Sequence, residues 1–226
     1  MTYRGKSLNR DRIAAALGTV MLAVGGWATP AQAAFSATSD TLPGFNGTVL
    51  AVAYSGNTIF VGGDFTSVVA NGRTVTRSRL AAVDARTGEL LSWAPAADGR
   101  VKALAVSGSS VYVAGDFGTV GGQKRDSLAQ LDAVGGAVAS TFKHSVSGRP
   151  YALAAANGKL YLGGAITAVN GQARTRLAAF SLSGGALDTA WKPTADDQVE
   201  AITAADGRIY VGGRFHKVNS TSGYDR

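Results

Sequence analysis

The chain has 226 residues, 46% of them hydrophobic and 16% charged, with 30 glycines, five prolines and no cysteine. This is the composition of a globular protein with many turns between short segments, and not of a disordered chain. It excludes disulfides, thiolate metal sites and a thiol nucleophile. The formal charge of +7 needs correction for the N-terminus before it says anything about partners.

Arg4, Lys6, Arg10 and Arg12 precede an uncharged apolar run from Ile13 to Ala28, which Pro30 ends before Ala31-Gln32-Ala33. A basic region, an apolar stretch and an A-x-A site together predict a signal peptide over residues 1–33, cut before Ala34. The rival reading is a retained anchor, but the run falls short of the ~20 residues that span a bilayer comfortably. The expected location is therefore secreted or cell-wall associated, with no membrane span after cleavage. The remaining chain carries 18 basic and 14 acidic residues, a net charge of +4. It has no basic run interleaved with aromatics, so nucleic acid is not an expected partner.

After a lead-in from Ala34 to Gly47, one pattern occurs four times. Thr58–Phe65 reads TIFVGGDF, Ser110–Phe117 reads SVYVAGDF, Lys159–Ile166 reads KLYLGGAI and Arg208–Phe215 reads RIYVGGRF. Gly62, Ala114, Gly163 and Gly212 are separated by 52, 49 and 49 residues, so the chain is a repeat protein. Four β-like pieces fit each complete unit. In the first they are VLAVAYS, TIFVGGDFTSV, RLAAVDA and ELLSWAP, bounded by Gly, Asn, Asp and Thr turn residues. The second gives VKALAVS, SVYVAGDFGTV, SLAQLDA and AVASTF; the third gives YALAAA, KLYLGGAITAV, RLAAFSL and ALDTAWKP. The fourth begins with EAITAA and RIYVGGRFHKV.

Four strands per ~50 residues without a helical period predict an all-β fold, a β-propeller of four-stranded blades. The expected blades are 49–100, 101–149, 150–198 and a truncated 199–226. Pro43 and Pro95 each stand six residues before a unit start, so residues 35–43 are expected to form the outer strand of a closing blade. About three and a half blades make an incomplete ring, and the sequence reads as the front portion of a longer propeller. Trp93, Phe142 and Trp191, one large aromatic at a fixed place per unit, are expected to plug the gaps between blades.

The pattern V-x-A-(L/I/V)-A, (I/V)-(F/Y)-V-G-G-x-F-x-x-V, R-L-A-x-(V/L)-D-x-x-G and W-x-P resembles the uncharacterised β-propeller repeats of the delta-sixty type. The resemblance runs from Val49 to Arg226. It implies a propeller in a secreted or wall-associated bacterial protein, often ahead of further extracellular domains, and it brings no catalytic residue set. Ser181 and Ala165 depart from it, standing where Asp84 and Asp132, and Asp64 and Asp116, stand in other units.

The repeats also sort candidate site residues, since a residue the fold requires recurs in each unit and a functional one can be singular. Asp64 and Asp116 share their slot with Ala165 and Arg214, which excludes a metal or catalytic role in every blade. Asp84 and Asp132 precede glycine-containing turns and are expected to be Asx-turn residues. Asp196-Asp197 is expected in a solvated turn, because glycoside chemistry needs two carboxyls across a cleft. His144 and His216 occupy non-equivalent places, are expected in exposed loops, and are too few for zinc. Gly62-Gly63 follows a strand as a phosphate loop would, but no helix follows to hold an anion.

Basic residues before the third strand of each unit remain: Arg73, Arg77, Arg79, Lys124, Arg125, Arg174 and Arg176. If their loops share a face, that face is positive and could attract an acidic cell-wall polymer, glycan or protein. The expected function is a secreted, non-enzymatic propeller acting as a binding or scaffold module at the cell surface, without cofactor or metal, working beside downstream domains. The alternatives are a fragment of a propeller enzyme, oxidase or glycan-active, and a structural wall component without a discrete ligand. The loop from Thr66 to Arg79 is where a contact surface is first to be sought.

Overall fold

The computed structural model describes residues 43–219 and the backbone of 221–222. The expected signal peptide and all but Pro43 of the expected closing strand lie outside the described residues. Three strands build each complete blade, with the second strand in the middle of the sheet. The first blade has Thr48–Ser55, Thr58–Asp64 and Leu80–Asp84; the next has Arg100–Ser107, Ser110–Asp116 and Leu128–Asp132. The third has Val146–Ala156, Lys159–Val169 and Leu177–Ser181, and a fourth starts with Val199–Ala205 and Arg208–Gly213. All pairings within these sheets are antiparallel.

Turn chemistry explains the hairpins. Between the first and second strands only two residues intervene, and at least one is left-handed each time: Gly56, Gly108, Asn157-Gly158 and Asp206-Gly207. Tight two-residue hairpins require that backbone, and Gly, Asn and Asp supply it at least cost. At the far end of the third strand, Asp84 accepts the Arg86 and Thr87 amides, and Asp132 accepts those of Val134 and Gly135. The expected Asx turns are present, and the amides of Thr87 and then Arg86 hold the Asp84 carboxyl below its usual range.

Two expectations change. The fourth strand of each blade shrinks to a single antiparallel bridge, Val83 with Leu90, Leu131 with Val138 and Phe180 with Leu187. Shortly beyond the bridge the chain turns inward to bury Trp93 and Phe142 and half-bury Trp191, so a longer ladder does not form. The segment after the second strand, expected as a strand end and a variable loop, is an additional β-hairpin. Ser67–Ala70 pairs with Arg73–Thr76, Thr119–Val120 with Gln123–Lys124, and the end of Lys159–Val169 with Gln172–Ala173. Each hairpin is fastened to the chain entering its own blade: Phe45 opposite Val68, Ala97 opposite Val120, Val146 opposite Val169 and Ala195 opposite Val218.

The core lies between blades. Trp93 packs edge-on against Phe60 of the first blade, and its indole N–H donates to the Asp132 carbonyl of the second at 2.9 Å. Phe142 contacts Tyr112 and Phe180 across the next gap, and Trp191 contacts Tyr161 before the fourth. The aromatic plugs are where the repeats predict them. The first strands of adjacent blades, the inner strands, also lie side by side. This is a β-propeller, and among the described residues its blades form an open arc, with Val49, Val52 and Tyr54 of the first blade exposed.

The two glycines of the repeated motif have different duties. The register of each first strand slips by one residue opposite the pair, between Val49 and Ala51, Val101 and Ala103, Pro150 and Ala152, and Val199 and Ala201. At that bulge the carbonyl of the opposing chain presses on the second glycine. A Cβ at Gly63, Gly115, Gly164 or Gly213 would collide with the carbonyl oxygen of Thr48, Arg100, Arg149 or Gln198. The first glycine faces the next blade instead, and there Ala114 is tolerated. Gly115→Ala is accordingly expected to cost about 3 kcal/mol, as backbone overpacking does. Gly184→Ala, where no atom lies within 4 Å, is expected to change stability by less than ~0.5 kcal/mol. Urea unfolding of the two variants measures the difference.

Candidate ligand site on the inner strands

The seven basic residues singled out by sequence do not form one face. Arg125 and Arg174 are buried, Arg77, Arg79 and Arg176 are half-buried, and Arg73 and Lys124 are exposed. Arg77, Arg125 and Arg174 are a single structural device. Each donates to the carbonyl of the residue before it and to a carbonyl fourteen residues on: Leu91, Ala139 and Asp188 respectively. These guanidiniums take up backbone acceptors that a longer fourth strand would otherwise bond. Arg79, Ser127 and Arg176 stand at a left-handed corner, with φ of 65°, 66° and 74°. The corner is held on both sides, since Arg79 donates to the Phe65 carbonyl and accepts from the Gly63 amide, and the other two blades repeat this. A periodic arginine before the third strand is therefore a fold residue, and the proposed basic face reduces to Arg73 and Lys124.

His144 is buried, contrary to the expectation of an exposed loop. It packs on Phe142 and Phe180. Its Nε2 meets the Gly185 carbonyl at 2.7 Å, and its Nδ1 meets the Asn170 amide nitrogen at 2.9 Å. The Asn170 Oδ1 accepts the Ser145 amide, which turns its NH2 toward the imidazole. Nε2 must then donate and Nδ1 accept, so the ring is neutral. Burial, which outweighs the two hydrogen bonds, lowers its pKa. His216 is exposed, as expected.

Asp196 is not merely solvated. Its Oδ1 accepts the His216 and Lys217 amides, as Asp98 accepts those of Gly118 and Thr119 and Asn46 those of Thr66 and Ser67. The Lys217 amide above all holds the Asp196 carboxyl below its usual range. In the first, second and fourth blades one residue thus clamps the start of the following hairpin.

A different column of the repeat gathers at one place. The bulge on each inner strand leaves one residue unpaired in the register: Leu50, Lys102, Tyr151 and Glu200. Bulges re-aim side chains, and these four residues, with Arg100, Gln198 and Arg214, line a single open hollow of about 560 Å³. Lys102 Nζ lies 4.4 Å from the Tyr151 ring centroid and 2.6 Å from Asp116. Arg100 pairs with Asp64 of the preceding blade at 2.7 Å, and Arg214 pairs with Glu200 at 2.9 Å. Asp64 and Asp116, which share their slot with Ala165 and Arg214, thus hold Arg100 and Lys102 of this hollow. Sequence reasoning missed the column because it sought shared residues. The signal was present in its opposite, a position differing in every copy between Val49, Val101, Pro150 or Val199 and a constant alanine.

The family model described as "Domain of unknown function (DUF5122) beta-propeller" matches residues 155–190 and 204–224. The chain carries β-propeller repeats. No curated protein sequence matches it. Among solved structures it is similar to the computationally designed Ika8 protein, at 20% identity and a TM-score of 0.47, over 75% of this chain and 44% of that one. It is similar also to the computationally designed Ika4 protein, at 18% identity and a TM-score of 0.49, over 81% of this chain and 96% of that one. The chain thus spans less than half the length of the first of these.

Two outcomes check these assignments. Arg125→Met, which strands buried carbonyls, is expected to cost about 2 kcal/mol, whereas Lys124→Ser is expected to stay within ~0.5 kcal/mol in the same urea titration. For His144 the folded state resists protonation more than the unfolded state, so below the unfolded value of ~6.5 the unfolded chain binds more protons and stability falls. The urea midpoint is expected to drop between pH 7.5 and 5.5, and His144→Gln is expected to remove that drop.

Proposed function

We propose that the chain is a non-enzymatic propeller of the delta-sixty type, secreted to the cell surface, where it binds a surface glycan in the hollow on its inner strands. The observation that carries the reading is the bulge column. Leu50, Lys102, Tyr151 and Glu200 differ from blade to blade at a position where the fold imposes an unpaired, re-aimed side chain. A position free of the fold's demands, repeated around one hollow, is where a ligand can be read.

The charge balance selects among the expected ligands. Arg100, Lys102 and Arg214 are each paired with an acid, namely Asp64, Asp116 and Glu200. The hollow is therefore polar without being positive. An acidic polymer gains little there, while a hydroxyl-rich ligand finds planar donors and acceptors and the half-buried Tyr151 ring. A few convergent polar groups around an aromatic surface suit such recognition. The delta-sixty assignment is supported by the motif pattern from Val49 onward and by the propeller-type family match over the third and fourth blades.

The test is binding of the full chain to isolated bacterial wall polysaccharide, followed by calorimetry with released oligosaccharides. Tyr151→Ala is expected to weaken binding by about tenfold, the scale of one lost aromatic contact, while Arg73→Ser and Lys124→Ser leave it unchanged. Raising the salt is expected to have little effect, because paired charges are not the attraction. Binding that collapses with salt and with the Arg73 and Lys124 variants instead would return the function to the exposed cations.

A further inference from the structure

One gap between blades is unlike its neighbours. The residue before the recurrent arginines Arg77, Arg125 and Arg174 is Thr76, Lys124 or Ala173, and the residue after them is Ser78, Asp126 or Thr175. The residue after the plugs Trp93, Phe142 and Trp191 is Ala94, Lys143 or Lys192, and the next is Pro95, His144 or Pro193. The gap between the second and third blades thus combines two lysines, a carboxylate and a histidine. The corresponding columns of the other two gaps hold neutral residues apart from Lys192. The fold does not require the combination, since two gaps form without it.

Packing brings these residues together. Lys124, Arg125, Asp126, Lys143 and His144 line one open pocket of about 340 Å³, together with Asn170. That volume is at the low end of what holds a small ligand. Arg125 and His144 are buried, whereas Lys124 and Lys143 are exposed. The imidazole is fixed by the Gly185 carbonyl and Asn170. The Arg125 terminal nitrogens are committed to the Lys124 and Ala139 carbonyls and to Gln123 Oε1, and its Nε, like those of Arg77 and Arg174, has no partner. Among the described residues, no ion pair includes Lys124, Arg125, Asp126 or Lys143. Three cations against one carboxylate leave this pocket positive, unlike the hollow on the inner strands, with which it shares no residue.

We propose that the pocket between the second and third blades binds a phosphate group, held by the ammonium groups of Lys124 and Lys143 over the buried Arg125. The committed fork of Arg125 is what selects phosphate over carboxylate. A planar carboxylate is best met by two parallel guanidinium donors, and those are already spent on carbonyls. The donors that remain are two ammoniums, point charges that suit a tetrahedral anion carrying up to two negative charges. Asp126 has a double effect. Its charge opposes a bare phosphate, while its oxygens can accept a hydroxyl from the organic part of a phosphate ester.

The chain's two histidines supply the readout, because His144 lines the pocket and the exposed His216 does not. Inorganic phosphate is titrated into the nitrogen-15-labelled full chain at constant ionic strength, and the imidazole resonances are followed. The His144 signals are expected to move and saturate while those of His216 stay still. Lys124→Ser and Lys143→Ser are each expected to weaken binding about tenfold, the scale of one lost charged hydrogen bond. Asp126→Ala is expected to tighten it about threefold, by removing a like charge, an outcome that damage to the fold does not produce. Tyr151→Ala, at the hollow, is expected to leave it unchanged, so this site and the glycan site fail separately. Glycerol 1-phosphate distinguishes the source: tighter binding than inorganic phosphate, lost in Asp126→Ala, assigns the pocket to an ester, and equal binding assigns it to the free anion. His144 signals that do not saturate, equal movement of His216, lysine variants that bind like the wild type, or acetate that binds as tightly as phosphate would each overturn the proposal.

Discussion

The blades of this molecule pack together where apolar side chains of one blade meet a glycine or alanine of the blade before it. A blade of three short strands is too small to bury its sheet faces alone, since an isolated few-stranded sheet is marginal in water. Only when Val101 and Leu104 reach the backbone at Gly62 do the facing sheets come close enough to exclude water. The same close approach aligns the inner strands, and that alignment gathers the bulged residues into one hollow. A residue much larger than the alanine accepted at position 114 would push the blades apart.

The bulge is the second constraint, and it follows from local geometry. One extra residue in the first strand thrusts a carbonyl toward the second glycine of the motif, which is why Gly63, Gly115, Gly164 and Gly213 are constant while the neighbouring position admits Ala114. That extra residue answers to no cross-strand partner. The fold is thus rigid at the position before the bulge and permissive at the bulge itself, and a binding surface can vary there without disturbing the blade. The packing residues and the residues proposed to meet a ligand are adjacent on the same strand.

The polar interior follows similar economy. Arg77, Arg125 and Arg174 satisfy carbonyls of a stunted fourth strand and His144 stays neutral between a carbonyl and an amide, while at the surface Asn46, Asp98 and Asp196 gather the amides that open the first, second and fourth hairpins. Buried polar groups need such partners. These residues are the ones that attract notice in a sequence, as basic clusters, paired carboxylates or lone histidines. Periodicity marks most of them as structural, because a repeated backbone acceptor calls for a repeated donor.

The sequence by itself determined the repeat, its period, the first three strands of each blade, the two-residue turns, the Asx turns and the aromatic plugs. All of these follow from local backbone preference or from recurrence at a fixed spacing, and both are written along the chain. Only the tertiary structure decided which charges are buried. A guanidinium meets the carbonyl of Leu91, Ala139 or Asp188 across a turn, and Arg100 meets Asp64 from another blade, contacts that no spacing encodes. It also decided where Leu50, Lys102, Tyr151 and Glu200 converge. Residues 49 or 52 apart become neighbours only when the blades are packed side by side, and a column of unlike residues has no pattern to betray it until then.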